Sequence, residues 1–123
     1  MLKYFYLIIA AINTIVLAQT SLTPADIINN SSHYNDNWVI NVLGTVQDFK
    51  KINNSITQFK LTDSEGNYVL VRSVNYASWL PNGRKVKVSG HFYADFGYDG
   101  DEQLINLIIV DPRQTNFENS IKF

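Results

Sequence analysis

The chain has 123 residues, 46% of them hydrophobic, with 10 basic against 11 acidic side chains and no cysteine. That composition suits one cored domain, leaves no disulfide to help it, and lacks the basic excess from which a dedicated nucleic-acid binder draws most of its affinity.

Met1-Leu2-Lys3 is a short positive start, and an apolar run follows to Ala18. The run is shorter than the roughly 20 apolar residues of a membrane span and is interrupted by Asn13-Thr14. It ends in Val16-Leu17-Ala18, side chains of the kind a signal peptidase reads. Residues 1–18 are therefore expected to be a cleaved secretory signal, with Gln19 as the mature N-terminus. The alternative is a retained anchor. Without Lys3 the mature chain carries 9 basic and 11 acidic residues, a net charge of about −2. Asn-X-Ser matches at Asn29, Asn30 and Asn53 are weak glycosylation signals in so asparagine-rich a chain, and a bacterial envelope protein, periplasmic or secreted, is the better reading.

Thr23-Pro24-Ala25-Asp26 has the N-cap, first-position proline and first-turn acid of a helix start, and predicts a short helix ending among Asn29, Asn30, Ser31 and Ser32. A first strand is expected over 38–49, with Trp38, Ile40, Val42, Gly44 and Val46 on the core face. Val39 and Leu43 lie on the other, with the helix as their cover. Residues 50–55 read as a loop. Strands at 56–62 and 68–74 alternate cleanly about the turn Asp63-Ser64-Glu65-Gly66-Asn67. They put Phe59, Leu61, Val69 and Val71 inward, and Gln58, Lys60, Tyr68, Leu70 and Arg72 outward. A short connection follows, with Trp79 as a plug at its end. A fourth strand over 84–94 places Val86, Val88 and Phe92 inward. An acidic hairpin loop is expected at 95–102. The fifth strand, 103–110, is read with Ile105, Leu107 and Ile109 inward. Residues 113–123 have no pattern and read as a flexible tail.

Two strands carry a glycine mid-run, Gly44 and Gly90, where a strand can bend or admit another backbone. The order of kinked strand, hairpin, kinked strand and final strand predicts an all-β fold, a five-stranded OB-fold (Greek-key) barrel over 19–112 behind the short helix.

The catalytic inventory is thin. His33 and His91 fall in different predicted elements and read as surface histidines. No serine sits in a nucleophile elbow, and no glycine-rich loop opens a helix. Four carboxylates between Asp95 and Glu102 lack the spacing of an EF-hand calcium loop and read as a solvated hairpin tip. The expectation is no enzyme, no metal and no cofactor. Binding is a different matter. The outward residues Lys60, Tyr68 and Arg72 form one patch, flanked by Lys50 and Lys51 in the first loop and by Phe96 and Tyr98 in the fourth hairpin. Rings interleaved with cations suit stacking on a base, sugar or peptide. The nearby acidic tip would repel a polyanion and favour a short, mixed-charge or sugar-like ligand.

The layout resembles the bacterial OB-fold family of small exported, stress-associated periplasmic proteins. The resemblance rests on Asn37-Trp38-Val39-Ile40 leading to a glycine, the Phe-x-x-x-Asp-x-x-Gly hairpin from Phe59 to Gly66, Trp79, and the kinked strand ending in Gly90. It is similar more broadly to anticodon-binding and single-strand-binding OB domains. The resemblance implies a non-enzymatic exported binding protein in envelope homeostasis or stress tolerance. Its ligand would be a glycan, peptide or cationic small molecule, or its partner an envelope protein. The chain departs from that family in the acidic hairpin and the asparagine-rich first loop, which set ligand choice. The periplasmic haem chaperone, another exported OB barrel, attaches haem through a C-terminal histidine, and no histidine follows His91. Single-stranded nucleic-acid binding and a structural interaction module are the alternative readings.

Overall fold

The computed structural model describes residues 21–74, 80–111 and 120–123. The expected signal segment, the Trp79 plug and most of the expected tail lie outside the described residues.

Thr23 opens the single described α-helix, α1 (Pro24–Asn29), through a capping box. Its hydroxyl accepts from the Asp26 amide and its own amide donates to the Asp26 carboxylate. So short a helix is held by packing rather than propensity. Ile27 is fully buried in the main core, and α1 packs on the sheet there. It does not cover the outer face of the first strand, where Leu43 stays 48% exposed.

Six strands follow: β1 (Val39–Lys51), β2 (Ile56–Thr62), β3 (Tyr68–Val74), β4 (Lys85–Asp99), β5 (Glu102–Val110) and β6 (Ser120–Lys122). They form one sheet in the order β1-β2-β3-β5-β4-β6, and β1 also pairs with β4. The five long strands thus close on themselves as a barrel-like all-β fold. All pairings are antiparallel except β3 with β5.

Closure depends on β1 serving two partners. Residues from Val39 to Thr45 pair with β4, and those from Thr45 to Lys51 with β2. Gly44 sits at the handover. A Cβ there would lie 2.7 Å from Leu61 Cγ and 2.9 Å from the Thr62 carbonyl oxygen. Gly90, opposite Ile40, is tighter still: a Cβ would lie 2.5 Å from the Ile109 carbonyl oxygen. Both glycines therefore admit a close approach, as their place in the sequence predicts. The β1–β2 register shifts between Gln47 and Lys50, and Asp48 there has a φ of 52°. This bulge bends the strand and continues it to Lys51, so Lys50 and Lys51 belong to β1 rather than to a loop.

The core collects Ile40, Val42 and Val46 from β1, Phe59 and Leu61 from β2, Val69 and Val71 from β3, and Val86, Val88 and Phe92 from β4. Four sequence expectations need correction. Trp38 is 51% exposed and precedes the strand, because Asn37 at φ 70° turns the chain immediately before it. In β5 the core residues are Ile108 and Val110. Ile105 is exposed, and Leu107 joins Leu70 and Leu104 in a second, outer cluster flanked by Ile109. Asn106 at φ 49° breaks the alternation, which lets Leu104 and Leu107 share a side. The acidic segment is chiefly strand: β4 runs to Asp99 and β5 starts at Glu102, leaving Gly100 and Asp101 as the turn. A second register shift, between Asp95 and Gly97, marks a bulge at Phe96. Finally, the end of the expected tail is β6. It pairs Lys87–Ser89 of β4, along the edge that β5 leaves unpaired, and buries Ile121.

The β2–β3 turn is fixed by one carboxylate. Asp63 accepts from the amides of Glu65 and Asn67 and from the Asn67 side chain. Partial burial pushes the Asp63 carboxyl up. Hydrogen bonds from the Asn67 side chain and from the amides of Glu65, Asn67 and Ala25 outweigh this, holding it below the ordinary carboxylate value. A depressed folded-state pKa stabilises above the unfolded value, and that stability is lost as pH falls through the folded one. The melting temperature should therefore fall as pH drops below about 4, with a shallower fall in Asp63→Asn. Equal slopes for the two proteins would rule out this role.

Candidate ligand-binding site

Alternation on β2 and β3 sends Lys60, Tyr68 and Leu70 to the outside of the barrel, and the register fixes their neighbours. Lys60 lies opposite Leu70 and Thr62 opposite Tyr68, so Lys60 and Tyr68 are diagonal neighbours. The Lys60 Nζ stands 4.6 Å above the centre of the Tyr68 ring and 3.2 Å from Asp48 Oδ2. The bulge that turns Asp48 out of the β1 alternation is what brings its carboxylate here.

These side chains line a cavity of about 610 Å³ on the outer face of β2 and β3. Lys50 and Asp48 border it from β1, and Glu102, Gln103 and Ile105 from β5, with Leu70 between them. The outer cluster of Leu70, Leu104 and Leu107 supports that side. Two lysines and two carboxylates thus surround a half-exposed tyrosine ring and apolar side chains. Such a recess can stack a planar or sugar ring, with hydrogen-bond partners of both kinds around it.

Arg72 has a different job. Its Nε donates to Gln58 Oε1 at 2.7 Å, and its Nη2 lies 2.8 Å from Asp99 Oδ2. The Gln58 amide in turn reaches Glu102 Oε1 at 3.4 Å. With a side chain only 12% exposed, Arg72 ties the far end of the β4–β5 hairpin to the β2–β3 face. It holds the cavity wall rather than offering a free cation.

The residues singled out in the sequence thus divide. Lys50, Lys60 and Tyr68 meet at the cavity, and Arg72 braces it. Lys51 lies opposite Thr57, one step past the Lys50–Gln58 pair. Tyr98 is strongly exposed opposite Gln103. Phe96 stands edge-on to Tyr93, with ring centres 5.3 Å apart. Asp48, Glu102 and Gln103 were not foreseen. Asp48 is hidden by its bulge, Glu102 by its place in an apparent loop, and Gln103 by its position as the first residue of the expected fifth strand.

His91 Nδ1 lies 3.0 Å from the Asn37 carbonyl oxygen, which fixes the turn before β1. Among the described residues no group of three or more His, Cys, Asp or Glu side chains is placed to share a metal ion. Comparison of the sequence with protein-family models and with curated proteins finds no match. The function must be argued from the geometry.

Proposed function

We propose that this is an exported, non-enzymatic OB-barrel protein that binds a short glycan or glycopeptide at the β2–β3 cavity, in the service of envelope homeostasis or stress tolerance. The strand order supports the fold assignment. A long β1 shared between β2 and β4, with β3 beside β5 in parallel, is in keeping with the Greek-key connectivity of a five-stranded OB barrel. The observation that carries the ligand class is the mixed charge around Tyr68. Two lysines offer donors and two carboxylates offer acceptors beside one accessible ring. A sugar with a peptide or amino substituent satisfies all of these, whereas a run of phosphates meets Asp48 and Glu102 as repulsion. The net charge of −1 points the same way. Export rests on the character of residues 1–18.

The test is calorimetric titration with soluble peptidoglycan fragments. Tyr68→Ala should weaken binding at least about tenfold, roughly 1.4 kcal/mol, while leaving the melting temperature within a degree, since the ring lies outside the core. Lys60→Ala should weaken it less, because Asp48 remains available to the ligand. Binding by Tyr68→Ala as tight as by the unaltered protein would refute the site. Oligonucleotide binding that falls steeply with salt would replace the glycan reading with a nucleic-acid one.

A further inference from the structure

A second recess of about 850 Å³ lies on the barrel surface where β1, β4 and β6 meet. It shares no lining residue with the cavity around Tyr68. Its centre is set by register: Leu43 of β1 lies opposite Lys87 of β4, and Lys87 lies opposite Lys122 of β6. Two lysines therefore face each other directly across a strand pair, an arrangement that destabilises a sheet. Lys85, two residues along β4, adds a third cation on the same wall.

None of these lysines is in an ion pair among the described residues. The acidic side chain in the lining is Asp63, and its carboxylate is occupied by the Asn67 side chain and the turn amides. The rest of the recess is apolar in character. Leu43 is half-exposed, and Phe123 is 70% exposed with its ring 4.4 Å from the Arg84 guanidinium carbon. Three cations without an ion pair among the described residues, around accessible leucine and phenylalanine side chains, suit one kind of molecule. It has an apolar body to cover the side chains and an anionic head to relieve the lysine–lysine repulsion.

We infer that this face binds a free long-chain carboxylate, its chain along Leu43 and Phe123 and its head between Lys87 and Lys122. The β2–β3 turn at Thr62, Asp63 and Ser64 walls one side of the recess. A walled recess suits a single chain better than a bilayer, which needs apolar residues standing proud of the surface.

The test is a two-dimensional NMR titration of the full chain with dodecanoate below its micellar concentration, with dodecyltrimethylammonium as the matched cation. Dodecanoate should give saturable shifts at Leu43, Thr45, Lys85 and Lys87, and the cation should bind at least tenfold more weakly. Lys87→Glu supplies the control for folding. It replaces a like-charge pair with an opposite one across β4 and β6, so its melting temperature should hold or rise. Its affinity for dodecanoate should fall at least tenfold. Equal binding of the two amphiphiles, shifts scattered over the barrel, or undiminished binding by Lys87→Glu would each overturn the inference. None of these outcomes bears on the glycan cavity.

Discussion

Phe92→Ala should cost about 3–5 kcal/mol, among the largest losses expected from a single truncation in this barrel. The ring is fully buried in the main core and meets Tyr34 edge-on, with centres 5.9 Å apart. Its backbone also anchors the entry to β1, since the Phe92 amide donates to the Trp38 carbonyl and the Phe92 carbonyl accepts from Asn37. Truncation leaves a cavity that strands paired on both edges cannot collapse to fill. Phe96, four residues along the same strand, is the internal control. It is half-exposed at the bulge and stands edge-on to Tyr93, so Phe96→Ala should change stability by no more than about 0.5 kcal/mol. Chemical denaturation of the two variants tests the division between core and surface on β4. Equal losses would mean that the bulge does not set that boundary.

Gly90→Ala should destabilise by about 2–3 kcal/mol although it adds only a methyl group. The obstruction is main chain: the added carbon would sit 2.5 Å from the Ile109 carbonyl oxygen and 2.8 Å from Ile108 Cγ2. Relief requires β5 to move away from β4, which lengthens ladder hydrogen bonds on both sides of the contact. Gly44→Ala meets the buried Leu61 side chain at 2.7 Å and the Thr62 carbonyl oxygen only at 2.9 Å, so its main-chain obstruction is less severe than the 2.5 Å contact at Gly90. It should cost less than Gly90→Ala in the same denaturation experiment. The reverse order would show that β5 does not pack so closely over Gly90.

Those two glycines were legible in the sequence because each interrupts an alternating run. The hairpin strands were legible too: β2 and β3 have the predicted bounds, with a turn whose aspartate and glycine occupy the expected places. β5 was harder for a physical reason. Leu104, Ile105, Leu107, Ile108, Ile109 and Val110 leave almost no polar residue to set the phase, and a strand covered on both faces has no need of one. A one-residue error in phase then exchanges its faces. The acidic segment from Asp95 to Glu102 reads as loop from composition, whereas the structure pairs most of it, with Asp99 held by Arg72 from another strand. β6 offers one inward residue, Ile121, too little for any period to appear.

The site followed the same rule. Lys60 beside Tyr68 comes from local alternation and register, both readable. Asp48 depends on a bulge, and the bracing of Arg72 on a contact 27 residues distant in sequence. The β1–β4–β6 recess needed Lys122 to be recognised as part of a strand, which no pattern announced.

Ligand binding at the outer face of β2 and β3 can be read amide by amide. The most direct measurement is a two-dimensional NMR titration of the protein with a soluble peptidoglycan fragment. Shifts should saturate and concentrate at Lys50, Lys60, Tyr68, Leu70 and the Glu102–Ile105 stretch, with the β1–β4–β6 face unmoved. Silence at these amides, or shifts centred elsewhere on the barrel, would contradict the account.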